Sequence, residues 1–73
     1  MFYITVRIFP ANRRASFSSR ELSFESNSPT VSDMYKLLTD LDKSKYRVSR
    51  GVSFLNDTDL LVRNEILNIL PMT

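Results

Sequence analysis

The fold class of this chain depends on one apolar stretch, Leu60-Leu61-Val62-Arg63-Asn64-Glu65-Ile66-Leu67-Asn68-Ile69-Leu70. In one interpretation a turn at residues 63–65 leads into a β-strand at residues 66–70. In the other, Thr58 or Asp59 caps a helix that runs on to Leu70. The spacing of the apolar residues is compatible with both. We favour the strand, because a final strand paired with the first would close a sheet that otherwise keeps an open hydrophobic edge.

The opposite end of the chain contains the clearest strand signal, at residues 2–9. Apolar and mixed side chains alternate there with the period of two that places them on opposite faces of a strand. One predicted face carries Phe2, Ile4, Val6 and Ile8, and the other carries Tyr3, Thr5, Arg7 and Phe9. Pro10 then ends the run, and we expect a hairpin with a second strand within residues 15–25. Serines blur the register of that strand, which makes a β-bulge plausible.

A single amphipathic helix is predicted in the middle of the chain. Thr30 can cap it, and Asp33 lies three residues further on, near the positive helix end. Apolar residues at helical spacing continue to Leu41, so we expect the helix to end near Leu41 or Asp42 with its apolar stripe facing a core. That stripe consists of Val31, Met34, Leu37, Leu38 and Leu41.

Two further strands follow the helix. Residues 46–50 alternate and predict a third strand, and residues 52–55 predict a short fourth one. The only glycine, Gly51, indicates a turn or bulge between them. With the last strand, the order β-β-α-β-β-β predicts an α+β fold of the β-grasp (ubiquitin-like) type. We expect a mixed sheet of four to five strands on one helix, in a single domain over residues 1–73.

Two segments resemble the ThiS and MoaD type of sulfur carriers. In residues 61–71, Asn64 stands where that family usually has glycine, Glu65 stands at its acidic position, and an apolar strand and proline follow. Residues 28–34 are similar to the family's entry into its helix. The carriers act through a C-terminal Gly-Gly, whereas this chain ends Pro71-Met72-Thr73. We therefore expect a β-grasp protein that is not a carrier, with a carrier or modifier whose tail is missing as the alternative.

Composition argues against an enzyme. The chain has no His and no Cys, which removes the commonest general base, the thiol nucleophile and most zinc and copper sites. One glycine rules out a glycine-rich phosphate loop, and the acids at 57 and 59 lack the glycine and distal Glu of a calcium loop. We expect no cofactor. With no signal peptide, membrane-length apolar run or cysteine, we expect a cytoplasmic protein that does not enter a membrane.

The expected function is therefore binding, through the sheet face that the helix does not cover. Our candidate residues for contact with a protein partner of unknown identity are Tyr3, Arg7, Phe9, Arg47, Ile66, Asn68 and Leu70. A homodimer through this face is a further possibility. The alternative is an arginine-rich surface that binds nucleic acid, since arginines neutralise phosphate and aromatic rings stack on bases. That alternative adds Arg13, Arg14, Arg20 and Arg50.

Overall fold

The protein is described by a computed structural model at residues 1–12 and 15–72. The elements follow the predicted order, with strands at both ends and the α-helix between the two hairpins. They are β1 (Phe2–Ile8), β2 (Ser18–Phe24), α1 (Val31–Leu37), a 3-10 turn (Lys43–Lys45), β3 (Tyr46–Arg50), β4 (Ser53–Leu55) and β5 (Ile66–Pro71). Within the described residues no helix is long and apolar enough to cross a membrane.

The five strands form one mixed sheet in the order β2-β1-β5-β3-β4. β5 runs parallel to β1 and antiparallel to β3, so the last strand lies at the centre of the sheet. The prediction of a final strand beside the first is confirmed, and the rival helix over residues 60–70 is wrong. This strand order and the packing of the sheet on one helix are consistent with a β-grasp.

The first hairpin pairs without interruption from Phe2 opposite Phe24 to Ile8 opposite Ser18. The suggested β-bulge in β2 is therefore wrong. The serines that blurred the pattern lie at the exposed start of β2, where the strand extends beyond the part of the sheet that the core covers. Burial does not select apolar residues there, which is why the alternation is lost in the sequence.

The core lies between α1 and one face of the sheet, which we call the inner face. β1 contributes its even-numbered residues, and β5 contributes Leu67 and Ile69, both fully buried. From α1, Val31 and Met34 pack against them, followed by Leu38. The buried hydrophobic residues in the described ranges are Phe2, Ile4, Val6, Ile8, Leu22, Phe24, Val31, Met34, Leu38, Val48, Leu61, Leu67 and Ile69.

The helix begins as predicted but is shorter. Thr30 accepts a hydrogen bond from the Asp33 amide, and the Asp33 carboxylate accepts one from the Thr30 amide. The predicted end near Leu41 or Asp42 is wrong, because the helix stops at Leu37. Leu41 still packs against the core after a turn, whereas Leu37, predicted to face the core, is 48% exposed.

Two residues with positive φ shape the turns beside β3 and β5. Gly51 has a φ of 60° and forms the β3–β4 turn together with Val52, so β4 begins one residue later than predicted. Asn64 has a φ of 64°, and its amide donates to the Tyr3 carbonyl at 2.7 Å. Asparagine tolerates this left-handed conformation better than most residues. The turn therefore joins the loop after β4 to β1 just before β5 begins.

Candidate aromatic and arginine surface on the open sheet face

The sheet face opposite α1, which we call the outer face, holds all seven predicted contact residues. Residues directly opposite each other in a sheet project from the same face. The pairs Arg7–Asn68 and Arg47–Leu70 therefore place four of them together. Tyr3 and Ile66 follow from the alternation along β1 and β5, and the Phe9 amide extends the ladder by donating to the Ile69 carbonyl at 2.9 Å. The structure brings the predicted residues to one surface.

Their apolar side chains do not form one continuous patch. Tyr3 and Ile66, 42% and 52% exposed, lie towards the start of β1 and β5. Phe9 and Leu70 lie at the far end of the same strands and are only partly exposed. A polar row with Arg7 and Asn68 crosses the sheet between the two apolar areas. The surface therefore combines polar and apolar contact groups.

This polar row spans all five strands. Strand pairing connects Ser19 to Arg7, Arg7 to Asn68, Asn68 to Ser49 and Ser49 to Phe54. Ser49 is buried, and its hydroxyl donates to the Gly51 carbonyl at 2.6 Å. The row therefore begins at one edge of the sheet and ends on an aromatic ring at the other edge.

Each arginine of this face lies over a phenylalanine ring. The Arg47 guanidinium is 4.7 Å from the centre of the Phe54 ring, and the Arg7 guanidinium is 5.4 Å from that of Phe17. The Phe17 ring also contacts Phe9, with ring centres 5.2 Å apart. We use the name aromatic–arginine band for this surface, which consists of Arg7, Phe9, Phe17, Arg47, Ser49, Phe54, Asn68 and Leu70.

Sequence reasoning missed the two phenylalanines of the band. Phe17 lies just before β2 and reaches the outer face through the turn, so no alternation within β2 indicates its side. Phe54 lies in a three-residue strand, too short for its period to be read from the sequence. The pairing of Ser49 with Phe54 is the signal that identifies the face, and it depends on the position of the β3–β4 turn.

Of the arginines added for nucleic-acid binding, the two in the described part of the chain do not join the outer face. Arg20 and Arg50 belong to the inner side, where they pair with carboxylates. Arg20 donates two hydrogen bonds to Asp40, at 2.8 and 2.5 Å. Arg13 and Arg14 lie outside the described residues. Of the predicted arginines in residues 1–12 and 15–72, only Arg7 and Arg47 share the outer face.

Arg50 instead holds the turn before β5 in place. Its guanidinium donates to both carboxylate oxygens of Glu65, at 2.7 and 2.8 Å, and to the Leu60 carbonyl at 3.0 Å. Glu65 also accepts from the Val62 amide at 2.5 Å. The Glu65 hydrogen bond raises the pKa of Arg50. This charged pair therefore has a structural role, because its hydrogen bonds fix the geometry of the loop.

Other ionisable groups also respond to local hydrogen bonds. The hydrogen bond from Arg20 lowers the pKa of Asp40 to about 2, and the backbone bond from Thr30 lowers that of Asp33. Burial raises the pKa of Tyr35. The two carboxylate shifts follow from hydrogen bonds to the charged form, and the Tyr35 shift follows from desolvation of its charged form. In the described ranges, no three carboxylates converge in a way that could hold a metal ion.

A groove on the helix side of the molecule was not predicted. It has a volume of about 440 Å³ and lies between α1 and the end of β2. Leu37, Phe24 and Met1 provide its apolar lining, with Glu25, Asp33 and Lys36 among its polar residues. It shares no residue with the outer-face candidates. Leu37, the last residue of α1, is exposed and contributes to the apolar lining of this groove.

Compared with models of protein families and with curated protein sequences, the chain matches none. The likeness to sulfur carriers in residues 61–71 therefore stays an expectation.

Proposed function

We propose that the protein is a non-catalytic interaction module that binds a partner protein through the outer face of its sheet. The observation that carries the proposal is the exposure of large apolar side chains on the face that α1 leaves open. Tyr3, Phe17 and Phe54 are accompanied there by the aliphatic Ile66, which is half exposed. Aromatic and arginine side chains are enriched where protein interfaces concentrate their binding energy.

The sheet also supplies a rigid platform. Tyr3 and Ile66 lie on β1 and β5, which are paired with each other along a parallel ladder at the centre of the sheet. Binding to side chains on such a scaffold orders few additional degrees of freedom, so more of the contact free energy remains as affinity. A partner that covers the outer face would remove apolar surface from water. This burial contributes a favourable free energy of about 25 cal/mol per Å², from which the costs of association are subtracted.

The test compares one apolar substitution on each side of the molecule. Ile66→Thr changes the outer face and keeps a β-branched residue in a strand. Leu60→Thr is the matched control, because Leu60 is 59% exposed and bridges to Thr30 beside the helix. Each variant is immobilised and used to capture proteins from an extract of the source cells, and bound proteins are quantified by mass spectrometry.

We expect a protein that wild type and Leu60→Thr capture equally and that Ile66→Thr loses by about tenfold, the effect of a side-chain contact worth about 1.4 kcal/mol. Equal losses with both variants, or none with Ile66→Thr, would refute binding through the outer face. Urea unfolding of both variants checks that the change does not arise from loss of structure.

Nucleic-acid binding is the second candidate, favoured by the two arginines of the outer face. The same preparations are titrated with a fluorescein-labelled ten-nucleotide oligo(dT) at several salt concentrations. Counterion release makes nucleic-acid affinity fall steeply as salt rises, whereas an apolar protein contact changes little. Capture of a protein that persists at high salt supports the first proposal, and salt-sensitive oligonucleotide binding lost in an Arg47→Gln variant supports the second.

A further inference from the structure

The two arginines of the aromatic–arginine band differ in their environment from the other arginines that the structure describes. Arg20 and Arg50 each donate to a carboxylate, and Arg63 donates to the Met1 carbonyl at 2.9 Å. Arg7 and Arg47 have no carboxylate within ion-pair distance among residues 1–12 and 15–72. Their hydrogen-bond donors therefore face water on an exposed surface.

Their positions are nevertheless defined by contacts. A guanidinium stacked on a ring has its planar fork oriented with its N–H groups free at the edge. The Arg47 guanidinium lies over the Phe54 ring, and the Arg7 guanidinium lies over the Phe17 ring. Such a fork donates two parallel hydrogen bonds to the two oxygens of a carboxylate. The side chains lose less freedom on binding than unrestrained arginines would.

The strand register also sets the spacing between the two arginines. Arg7 lies opposite Asn68, which lies opposite Ser49, two residues along β3 from Arg47. Two strand spacings across and two residues along give about 12 Å between the Cα atoms. Leu70 and Asn68 lie in this interval. The two cations are therefore separated by a mixed apolar and amide surface.

We infer that the band binds an acidic protein surface that presents two carboxylates on either side of an apolar side chain. These carboxylates lie more than about 12 Å apart, because the two guanidiniums lie over rings towards opposite edges of the sheet. This inference rests on the proposed function and names the chemistry of the partner. One carboxylate pairs with Arg7, the other with Arg47, and the apolar group contacts Leu70.

The same geometry disfavours single-stranded nucleic acid as the occupant. Binding of that kind uses open aromatic faces for base stacking and a groove of many cations along the backbone. The rings of Phe17 and Phe54 each have a guanidinium over them, and Phe9 packs on Phe17. Glu21, opposite Thr5, adds a negative charge to the same face. The two cations that the described residues place in the band fit two discrete carboxylates better than a chain of phosphates.

The experiment selects binders from a phage-displayed library of random 16-residue peptides on the immobilised full chain. Wild type, Arg7→Gln, Arg47→Gln, Arg63→Gln and Ile66→Thr are used in parallel. Arg63 is the matched control, because its guanidinium also lies over a ring, that of Phe2, at 4.8 Å, but at the opposite end of β1 from the band. The strongest wild-type peptide is synthesised, and its affinity for every variant is measured by NMR titration, in which the dispersed amide spectrum also shows that each variant is folded.

We expect the wild-type pool to be enriched in paired Asp and Glu around apolar residues. Arg7→Gln and Arg47→Gln should each lower the affinity for the synthetic peptide about tenfold, because each removes a hydrogen bond between charged groups. Arg63→Gln should leave that affinity unchanged. Three results would each overturn the inference. They are a peptide pool without excess acids, an equal loss of peptide affinity with Arg63→Gln, and oligo(dT) binding that depends on Arg7 and Arg47. An acid-free pool lost only with Ile66→Thr would leave the proposed function standing. A pool indifferent to Ile66→Thr, Arg7→Gln and Arg47→Gln alike would refute both.

Discussion

Replacing two consecutive residues of β5 by alanine should have sharply different effects on stability. Leu67 is fully buried on the inner face, whereas Ile66, its neighbour in the chain, is 52% exposed on the outer face. Leu67→Ala removes buried methyl groups and leaves a cavity between the sheet and the helix, at a cost of about 3 kcal/mol. Ile66→Ala loses part of a half-exposed side chain and some strand propensity, at a cost of about 1 kcal/mol. The difference of about 2 kcal/mol between the two costs reflects the placement of these neighbours on opposite faces of the central strand.

This difference is large for a chain of 73 residues. A domain of that size has a free energy of unfolding of about 4 to 11 kcal/mol. Leu67→Ala should therefore remove a quarter or more of it and lower the melting temperature by about 12 to 24 °C. Urea unfolding followed by circular dichroism gives both values, and the dependence on urea should be unchanged in both variants. Equal destabilisation by the two substitutions would refute the assignment of opposite faces to these residues.

Three further changes test the turn, the helix start and the ion pair. Asn64→Gly should leave stability nearly unchanged and Asn64→Ala should cost about 1 kcal/mol, because φ is 64° there; equal effects in urea unfolding would contradict this conformation. Thr30→Ala should cost about 1 kcal/mol by removing the cap on the Asp33 amide, and an unchanged urea midpoint would argue against the capping box. The pKa of Asp40 is lowered to about 2 from 3.8, so the Arg20 pair contributes stability above pH 4 that is lost as pH falls towards 2. Arg20→Gln should return the Asp40 pKa, followed by its carboxyl carbon shift in NMR, towards 3.8, and an unmoved titration would disprove the pairing.

The sequence was sufficient to predict the strands that bury one face. Phe2 to Ile8 and Ile66 to Leu70 alternate clearly because the helix covers one side of the central strands and water covers the other. The capping box was also predictable, since Thr30 and Asp33 act on each other over three residues. These features depend on local chemistry or on a single buried face, both of which leave a regular pattern.

The apolar spacing does not mark the end of the helix. Leu37, Leu38 and Leu41 continue the helical spacing, but Asp40 lies in the turn after α1 and accepts both hydrogen bonds from Arg20 of β2. Periodicity contains no information about such a pairing between elements. Thr and Asp are also weaker helix formers than Leu, which lowers the cost of ending the helix there.

The candidate site was predictable in its strand residues and unpredictable at its edges. The alternation of β1 and β5 placed Tyr3 and Ile66 on the outer face. Phe17 and Phe54 reach that face through a turn and a three-residue strand, where no period exists to be read. Arg20 and Arg50 are recognised as structural by their carboxylate partners, Asp40 and Glu65. Only the folded chain defines these partners.

The parallel neighbours at the centre of the sheet determine how the molecule resists mechanical load. A force that pulls on the start of β1 and on the end of β5 acts along both strands in opposite directions. The backbone bonds between residues 5–8 and 66–69 then share the load in shear and must break together. Pulling the edge hairpin of β3 and β4 apart from its open end would instead unzip one pair at a time. The protein should therefore be mechanically strong along one axis and weak along another.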